Sequence, residues 1–434
     1  MAESFDAIVV GAGPAGSAAA LALARAGRSV CLVERGPFPG SKNVFGGVLY
    51  GRILDDLVPQ WWTQIPVQRW ISRRATMLMT KTQSVTVDVR SDAWAQPPFN
   101  GATVYRPDFD AWFADKAVAA GAVLVPATTV TSVLRRPDGS VLGVDTDRAD
   151  GVIQAPIVIA ADGVNSLLAK QAGLYGQADP EHFALGVKEV LALPRHEIER
   201  RFALTGDEGV DFEILGATGD IPGGGFLYTN RDTISIGAVL QLSALARSGR
   251  RPEAVIADLK RHPAIHPLVM GGELKEYAAH LIPEGGLRMM PKLARQGFMV
   301  AGDAAGLCLA AGIWLEGMNY AIGSGMAAAE TAIEALDRGD FSEAALSGYQ
   351  KRLDRSYVLQ DFRRFQGVPH LLTSERVQFR YPGLVCDFAE RMFTVDNPRP
   401  KIKAMSLLNG LRRARGLRLR DIARDLYCAW KAFA

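Results

Sequence analysis

Residues 11–16 read GAGPAG, and this hexapeptide constrains the chain more than any other stretch. It follows the apolar run DAIVV at 6–10, which reads as a short buried parallel strand. Behind it, residues 13–27 are rich in alanine and predict a helix ended by Gly27. Gly11, Gly13 and Gly16 occupy the three glycine positions of a GxGxxG fingerprint. Gly11 permits the tight turn, Gly13 lets backbone approach a pyrophosphate, and Gly16 lets helix pack against strand. Ala12, Pro14 and Ala15 complete the loop, where free N–H groups and a positive dipole end face phosphate. The next strand, RSVCLVE at 28–34, ends on Glu34, placed to hydrogen-bond ribose hydroxyls, with Arg35 beside it. A glycine-rich turn alone is common; set between strand and helix, with an acid after the second strand, it predicts a dinucleotide site.

A second motif decides which dinucleotide. FMVAGDAAG at 298–306 is a strand ending in Gly302 and Asp303, followed by small residues that can start a helix. An acid there can bind a polyol such as the ribityl chain of a flavin; the plain alternative is an aspartate capping a helix. With the fingerprint upstream, the pair points to FAD. IVIAAD at 157–162 reads as another buried strand of the same unit, and VTSVLRR, PDGS and VLGVDTD before it as a small antiparallel meander.

From about 180 to 290 the strands are spaced more widely: FALGVKEVLAL, VDFEIL, GFLYTN and TISIGAVLQL. The predicted class is α/β, with a Rossmann-like FAD-binding domain (1–180 and 290–340) interrupted by a mainly antiparallel β-sheet domain (181–289). Residues 341–434 form a helical carboxy-terminal region with a basic tail. At 434 residues the chain is long enough for two packed domains.

Composition excludes several classes. A net charge of +3, with no nucleic-acid signature, gives no case for nucleic-acid binding. Cys31, Cys308, Cys386 and Cys428 are scattered, and with six histidines no metal site is expected. No signal peptide and no apolar stretch of membrane-spanning length is evident, so the expectation is a cytoplasmic protein, with surface attachment to the cytoplasmic face of a membrane left open.

The fingerprint, ADG at 161–163 and VAGDAAG together resemble the glutathione-reductase-type flavoproteins. YRPDFDAWFADKA at 105–117 is similar to a string in the branch that holds geranylgeranyl reductases, aromatic hydroxylases and electron-transfer-flavoprotein:quinone oxidoreductases, where the arginine matching Arg106 lies by the flavin. Asp162 and Gly163 match its DG motif. PGSKNVFGG at 39–47 and YAAHLIPEGG at 277–286 resemble the FixC members of the quinone oxidoreductase family, over residues 3 to 370. The resemblance further assigns Gly46, Gly47, Val130 and Gly312 to cofactor contacts. GGGFLY at 223–228 resembles a stretch lining the quinone pocket, which makes Gly223 and Gly224 quinone candidates; a glycine-rich hairpin is the alternative. His280 and Glu284 read either as an acid–base pair for quinone protonation or as a surface histidine and a loop carboxylate.

The resemblance implies electron transfer from a two-subunit electron-transfer flavoprotein to quinone, in an electron-bifurcating complex that supplies low-potential reductant for nitrogen fixation. One departure matters: the quinone oxidoreductases carry a [4Fe–4S] cluster on their own cysteines, which this chain lacks, so a separate ferredoxin-like iron–sulfur subunit is implied. The competing readings are a geranylgeranyl-reductase-like or aromatic-hydroxylase-like FAD enzyme, and a structural subunit that binds FAD without turnover. In the tail, Arg412, Arg413, Arg415, Arg418, Arg420 and Arg424 alternate with Leu417, Leu419, Ile422, Leu426 and Trp430. That pattern suits an amphipathic helix at a membrane surface, a basic docking surface, or a solvated helix packed on its own domain.

Overall fold

The computed structural model describes residues 3–43, 47–176 and 179–433. Four runs of uninterrupted apolar residues make the centre of a six-stranded sheet. Its order is Ala294–Arg295, Phe298–Val300, Ile157–Ala160, Ala7–Val10, Val30–Val33, Val123–Val125. All pairs are parallel except the outermost one at 294–300. Every residue of Ala7–Val10, Val30–Val33, Ile157–Ala160 and Phe298–Val300 is buried, in one core with helix Pro14–Arg25 and with Val141, Val144 and Ile153 of a small antiparallel meander.

Helix Pro14–Arg25 starts with proline in its first turn, where a missing N–H costs nothing, and buries its alanine face. It packs on the long helix Met318–Arg338 at backbone distance: a Cβ on Gly325 would lie 2.1 Å from the Ala15 carbonyl oxygen. A side chain on Gly16 would lie 1.8 Å from the Gly11 carbonyl oxygen. Small residues here are a condition of the fold. The meander expected after residue 125 is present as Val130–Arg135, Val141–Thr146 and Ile153–Gln154, joined by Glu3–Ser4.

The second sheet has nine strands, in the order Glu273–Pro283, Phe183–Ala192, Thr233–Gln241, Gly223–Thr229, Glu208–Leu215, Val67–Met79, Ala102–Val104, Gly47–Leu49, with Ser84–Arg90 also pairing Val67–Met79. Here the structure differs from the sequence reading, which gave all of 1–180 to the nucleotide-binding unit. Strands from 47 to 104 belong to the larger sheet. Val67–Met79 alternates buried and half-buried positions and pairs in parallel with Glu208–Leu215, a long-range partnership that local pattern does not reveal. Arg69 pins that joint. Fully buried, it donates from Nε to the Asn230 carbonyl (2.6 Å) and from Nη1 to the Glu208 carbonyl (2.9 Å).

The nine-stranded sheet has two unlike faces, as its period of two demands. One carries Val210, Phe212, Ile214, Leu227, Ile234 and Ile236 into a core with Ile198, Phe202 and Leu259 of the covering helices. The other faces the six-stranded sheet across a cavity. The carboxy-terminal region is helical. Its last two helices, Ala404–Ala414 and Leu419–Phe433, are held by the bidentate Arg376–Asp425 pair (2.6 Å on each oxygen) and by Arg415–Asp387 (2.5 Å).

Candidate functional site

A cavity of about 530 Å³ runs from the first glycine turn to the polar face of the nine-stranded sheet. Its nucleotide end is built by the turn at 11–16. Gly11 has φ +100°, a conformation side chains rarely adopt, and a Cβ there would sit 2.4 Å from the Ala161 carbonyl oxygen. Gly13 is different. Its nearest neighbour would be Arg106 Nη2 at 3.6 Å, so the missing side chain opens space in the cavity. Glu34 braces the turn, accepting from the Ala12 N–H (2.9 Å) and the Gly36 N–H (2.6 Å).

Gly11, Gly13, Pro14, Ala15, Glu34 and Arg35 line this end, and Val130 stands beside them. Arg106, Asp162, Gly163, Gly302 and Asp303 converge in the middle from three separate segments. Gly47, His280 and Glu284 complete the lining residues that the sequence singled out. Ala12 and Gly16 lie behind the wall and shape it. Gly312 does not reach the cavity, although its neighbours Leu315 and Glu316 do, and Gly46 lies outside the described residues.

Gly223 and Gly224 are not among the lining residues either. Gly223 instead meets sheet backbone, where a Cβ would come within 2.0 Å of the Val239 carbonyl oxygen. The same strand delivers Phe226 and Tyr228 to the cavity two and four residues beyond Gly224. Sequence reasoning also passed over Tyr50, Asp211, Glu213 and Glu316, all of which line this end. A signal for the first acids was present: in VDFEIL the carboxylates alternate with Val210, Phe212 and Ile214, so one strand face is acidic and the other apolar.

Electrostatics vary along the cavity. Arg106 holds Asp110 with two 2.8 Å hydrogen bonds, and the Asn43 side-chain oxygen accepts from its Nη1 (2.9 Å). Burial lowers the His280 imidazole and raises the Asp303 carboxyl, while each, with Arg106, lies within reach of the other's charge. Asp162 Oδ1 is buried without a hydrogen-bond partner. An orphaned acceptor at the wall, next to a glycine turn that a Cβ would fill, fits a polyhydroxyl dinucleotide. At the sheet end, Arg74 donates to Glu213 (2.8 Å), lies 3.9 Å from Asp211 and sits over the Tyr50 ring. It also donates to the Ile313 carbonyl, tying the short hairpin Leu309–Ala310/Leu315–Glu316 to the sheet. Burial pushes Asp211 up to about 6 and Glu213 up to about 8, with Arg74 opposing both. Burial alone pushes Glu284 up to about 7.

Comparison with known proteins agrees with this geometry. Residues 6–183 match the family described as FAD dependent oxidoreductase, and residues 368–434 match the ETF-QO/FixC family C-terminal domain. The "Probable electron transfer flavoprotein-quinone oxidoreductase YdiS" of Escherichia coli (strain K12) is 42% identical over 405 residues, covering 93% of this chain and 94% of its own. Protein FixC of Bradyrhizobium diazoefficiens is 41% identical over 405 residues, covering 92% of each. Among solved structures, a geranylgeranyl bacteriochlorophyll reductase-like protein from Thermoplasma acidophilum shares the fold at a TM-score of 0.73 and 18% identity, over 98% of this chain and 99% of that one. The flavin-dependent brominase Bmp2 does so at 0.66 and 16%, over 95% and 99%. The cofactor is FAD, as the two motifs predicted.

Two outcomes test this site. Gly13→Val should abolish FAD retention while the flavin-free protein keeps its far-ultraviolet dichroism, because the new side chain enters cavity space. Gly11→Val should lose both, because it strikes backbone. The second concerns pH. Unfolded, Glu284 titrates at its ordinary 4.5; folded, at about 7. Between these values the folded protein keeps a proton that the unfolded chain releases, so this contribution to stability is present below the lower value and lost as pH rises to the upper. The thermal midpoint of flavin-free protein should fall across that window, and Glu284→Gln should reduce the fall.

Proposed function

The chain belongs to the electron transfer flavoprotein-quinone oxidoreductase/FixC family of FAD-dependent oxidoreductases, and from that premise we propose that it passes electrons from a two-subunit electron-transfer flavoprotein to quinone. The observation that carries the reading is the continuity of one cavity from the glycine turn to a chamber walled by Phe226, Tyr228, Ile282 and Leu315. The flavin ring takes part of such a chamber, and aromatic and apolar walls with a few polar groups also suit a quinone ring.

Bound FAD would supply a reversible redox couple where the two sheets meet. Around it the chain's own groups divide the work. The Gly13–Pro14 end of the first helix receives the pyrophosphate, and Glu34 the ribose. Asp162 and Asp303 accept hydroxyls of the polyol. Arg106, steadied by Asp110, presents a fixed positive charge beside the cofactor. Phe226, Tyr228 and Ile282 would wall the quinone, and His280 and Glu284 line the same cavity as groups whose charge burial suppresses.

The same reading sets the protein in an electron-bifurcating complex. Electrons from NADH enter through the partner flavoprotein; one goes to quinone and the other, by way of a ferredoxin-like iron–sulfur subunit, to low-potential ferredoxin or flavodoxin for nitrogen fixation. Its support is the similarity to FixC proteins together with four scattered cysteines.

The tail supports attachment to the cytoplasmic face of a membrane. Among the described residues no helix is long and apolar enough to cross one. Helix Leu419–Phe433 instead docks through Asp425 and turns Leu419, Leu426, Tyr427 and Trp430 outward, each at least 60% exposed, with Arg420 and Arg424 beside them. An outward apolar face flanked by arginines suits the headgroup boundary of an anionic membrane.

NADH alone should leave the flavin band unbleached in a stopped-flow experiment, and NADH with the partner flavoprotein should bleach it; reoxidation by ubiquinone-1 should then restore the band. Rapid bleaching without the partner would favour a monooxygenase or reductase instead. Removing residues 409–434 should leave FAD bound and shift the protein off vesicles containing anionic lipid. Unchanged vesicle binding would return the tail to a helix that only packs on its own domain.

A further inference from the structure

The polar face of the nine-stranded sheet carries a row of groups that the packing does not require. Arg74, Asp211, Tyr228 and Ser235 stand opposite one another on four neighbouring strands. Residues paired across strands point to the same face, so these four side chains share a level. The row continues through Val190 to Glu276 on the outermost strand. Lys188, two residues before Val190, shares that face and fills the apolar step. Asp211, Tyr228, Ser235 and Lys188 are buried, and Glu276 is half-buried at the sheet's edge. Burying such groups is costly, and the opposite face of the same strands packs mainly on apolar residues, with its buried Glu189 paired to Lys260.

The members are in contact electrostatically. The Tyr228 hydroxyl hydrogen-bonds Ser235 and lies within reach of the charges of Asp211 and Glu276. Lys188, which burial lowers to about 8, is in turn coupled to Glu276. Asn230 donates to Ser235 (3.2 Å) and to Thr233 (3.0 Å). An amide hydrogen does not titrate, so this side branch holds Ser235 in place and leads nowhere.

We infer that this row is a proton route, entering at Glu276, passing Lys188, Ser235 and Tyr228, and delivering at Asp211 to the quinone. The inference rests on the quinone reading given above. Reduction of a quinone to its quinol takes two electrons and two protons, one to each carbonyl oxygen; a reduced flavin in its anionic form gives up two electrons and one proton, so the route must supply the second proton from water. Glu276, half-buried on the outermost strand, is the end of the row beyond Ser235 that meets solvent. At the inner end Asp211 is faced by Arg74, Glu213, Tyr50, Tyr228 and, beyond Glu213, Glu316. One arginine cannot neutralise two neighbouring carboxylates, so the pair holds a proton near neutral pH and can be reloaded from Tyr228.

The test uses the FAD-loaded protein, reduced with dithionite and mixed with ubiquinone-1 in weak buffer containing phenol red. At a pH where the reduced flavin is anionic, wild type should take up one proton per flavin reoxidised, and the two signals should run together. In Ser235→Ala and Tyr228→Phe, each lacking one hydroxyl and no charge, uptake should slow at least about tenfold and the solvent isotope effect should rise. A route changes rates and leaves equilibria alone, so the flavin midpoint potential and its pH dependence should not move, and Ser235→Thr should restore uptake. Glu276→Gln, at the half-exposed end, should show the same slowing without burdening the core. Unchanged uptake in these variants would overturn the route while leaving quinone reduction standing. Slowing with a shifted potential and no rescue by threonine would overturn it in favour of a structural role. A wild type that passes no electrons to quinone would remove both readings.

Discussion

Backbone contact between the glycine turn and its neighbours is the constraint on which the rest depends. Gly11 lies against the Ala161 carbonyl, Gly16 against Gly11, and Gly325 against Ala15, all closer than any Cβ allows. Three chain segments are thereby drawn to one point: the first strand and helix, the strand Ile157–Ala160, and the helix Met318–Arg338. Asp162 follows directly from the first of these junctions, and Asp303 follows Gly302, which packs against Ala15 and Ala321, so the polar groups of the cofactor site inherit their positions from close packing. The site is accurate because nothing bulky separates its supports.

The larger sheet solves a different problem. It must present titratable groups to a cavity and still hold itself together. Period-two alternation divides the tasks strand by strand: Val210, Phe212 and Ile214 go to one side, Asp211 and Glu213 to the other. Burial then moves the carboxyls towards neutrality, and Arg74 keeps part of their charge tolerable. The short hairpin at 309–316 is held to this face by the same arginine, so charge balance and cavity shape depend on a single side chain.

What was legible in the sequence was local. GAGPAG between an apolar strand and an alanine helix, Glu34 after the second strand, and Gly302–Asp303 after a third are each written within a few residues, and each contributes to the lining of one cavity. Long-range pairing was less visible. Nothing in the string VQRWISRRATMLM shows that it will lie parallel to Glu208–Leu215, so the larger sheet's strands between 47 and 104 went unread within the span 1–180. GGGFLY drew attention to its glycines for their freedom, yet the sheet uses that freedom against Val239, and the aromatic residues reach the cavity. The acidic alternation in VDFEIL could have been read, but its meaning depends on which face turns inward.

The close packing of the first helix on Met318–Arg338 also sets an order of assembly. On the ribosome, the amino-terminal strand and glycine turn emerge long before the helix that covers them, and before Phe298–Val300 extends their sheet. The intervening chain must meanwhile build most of a second sheet whose own parallel joint waits for residues 208–215. Such a topology defers its rewards: loop-closure entropy is lost early and native contacts arrive late. The nascent protein therefore carries an unroofed apolar sheet through most of its synthesis, which makes sheltering by chaperones, or early capture of the dinucleotide, part of what its sequence demands of the cell.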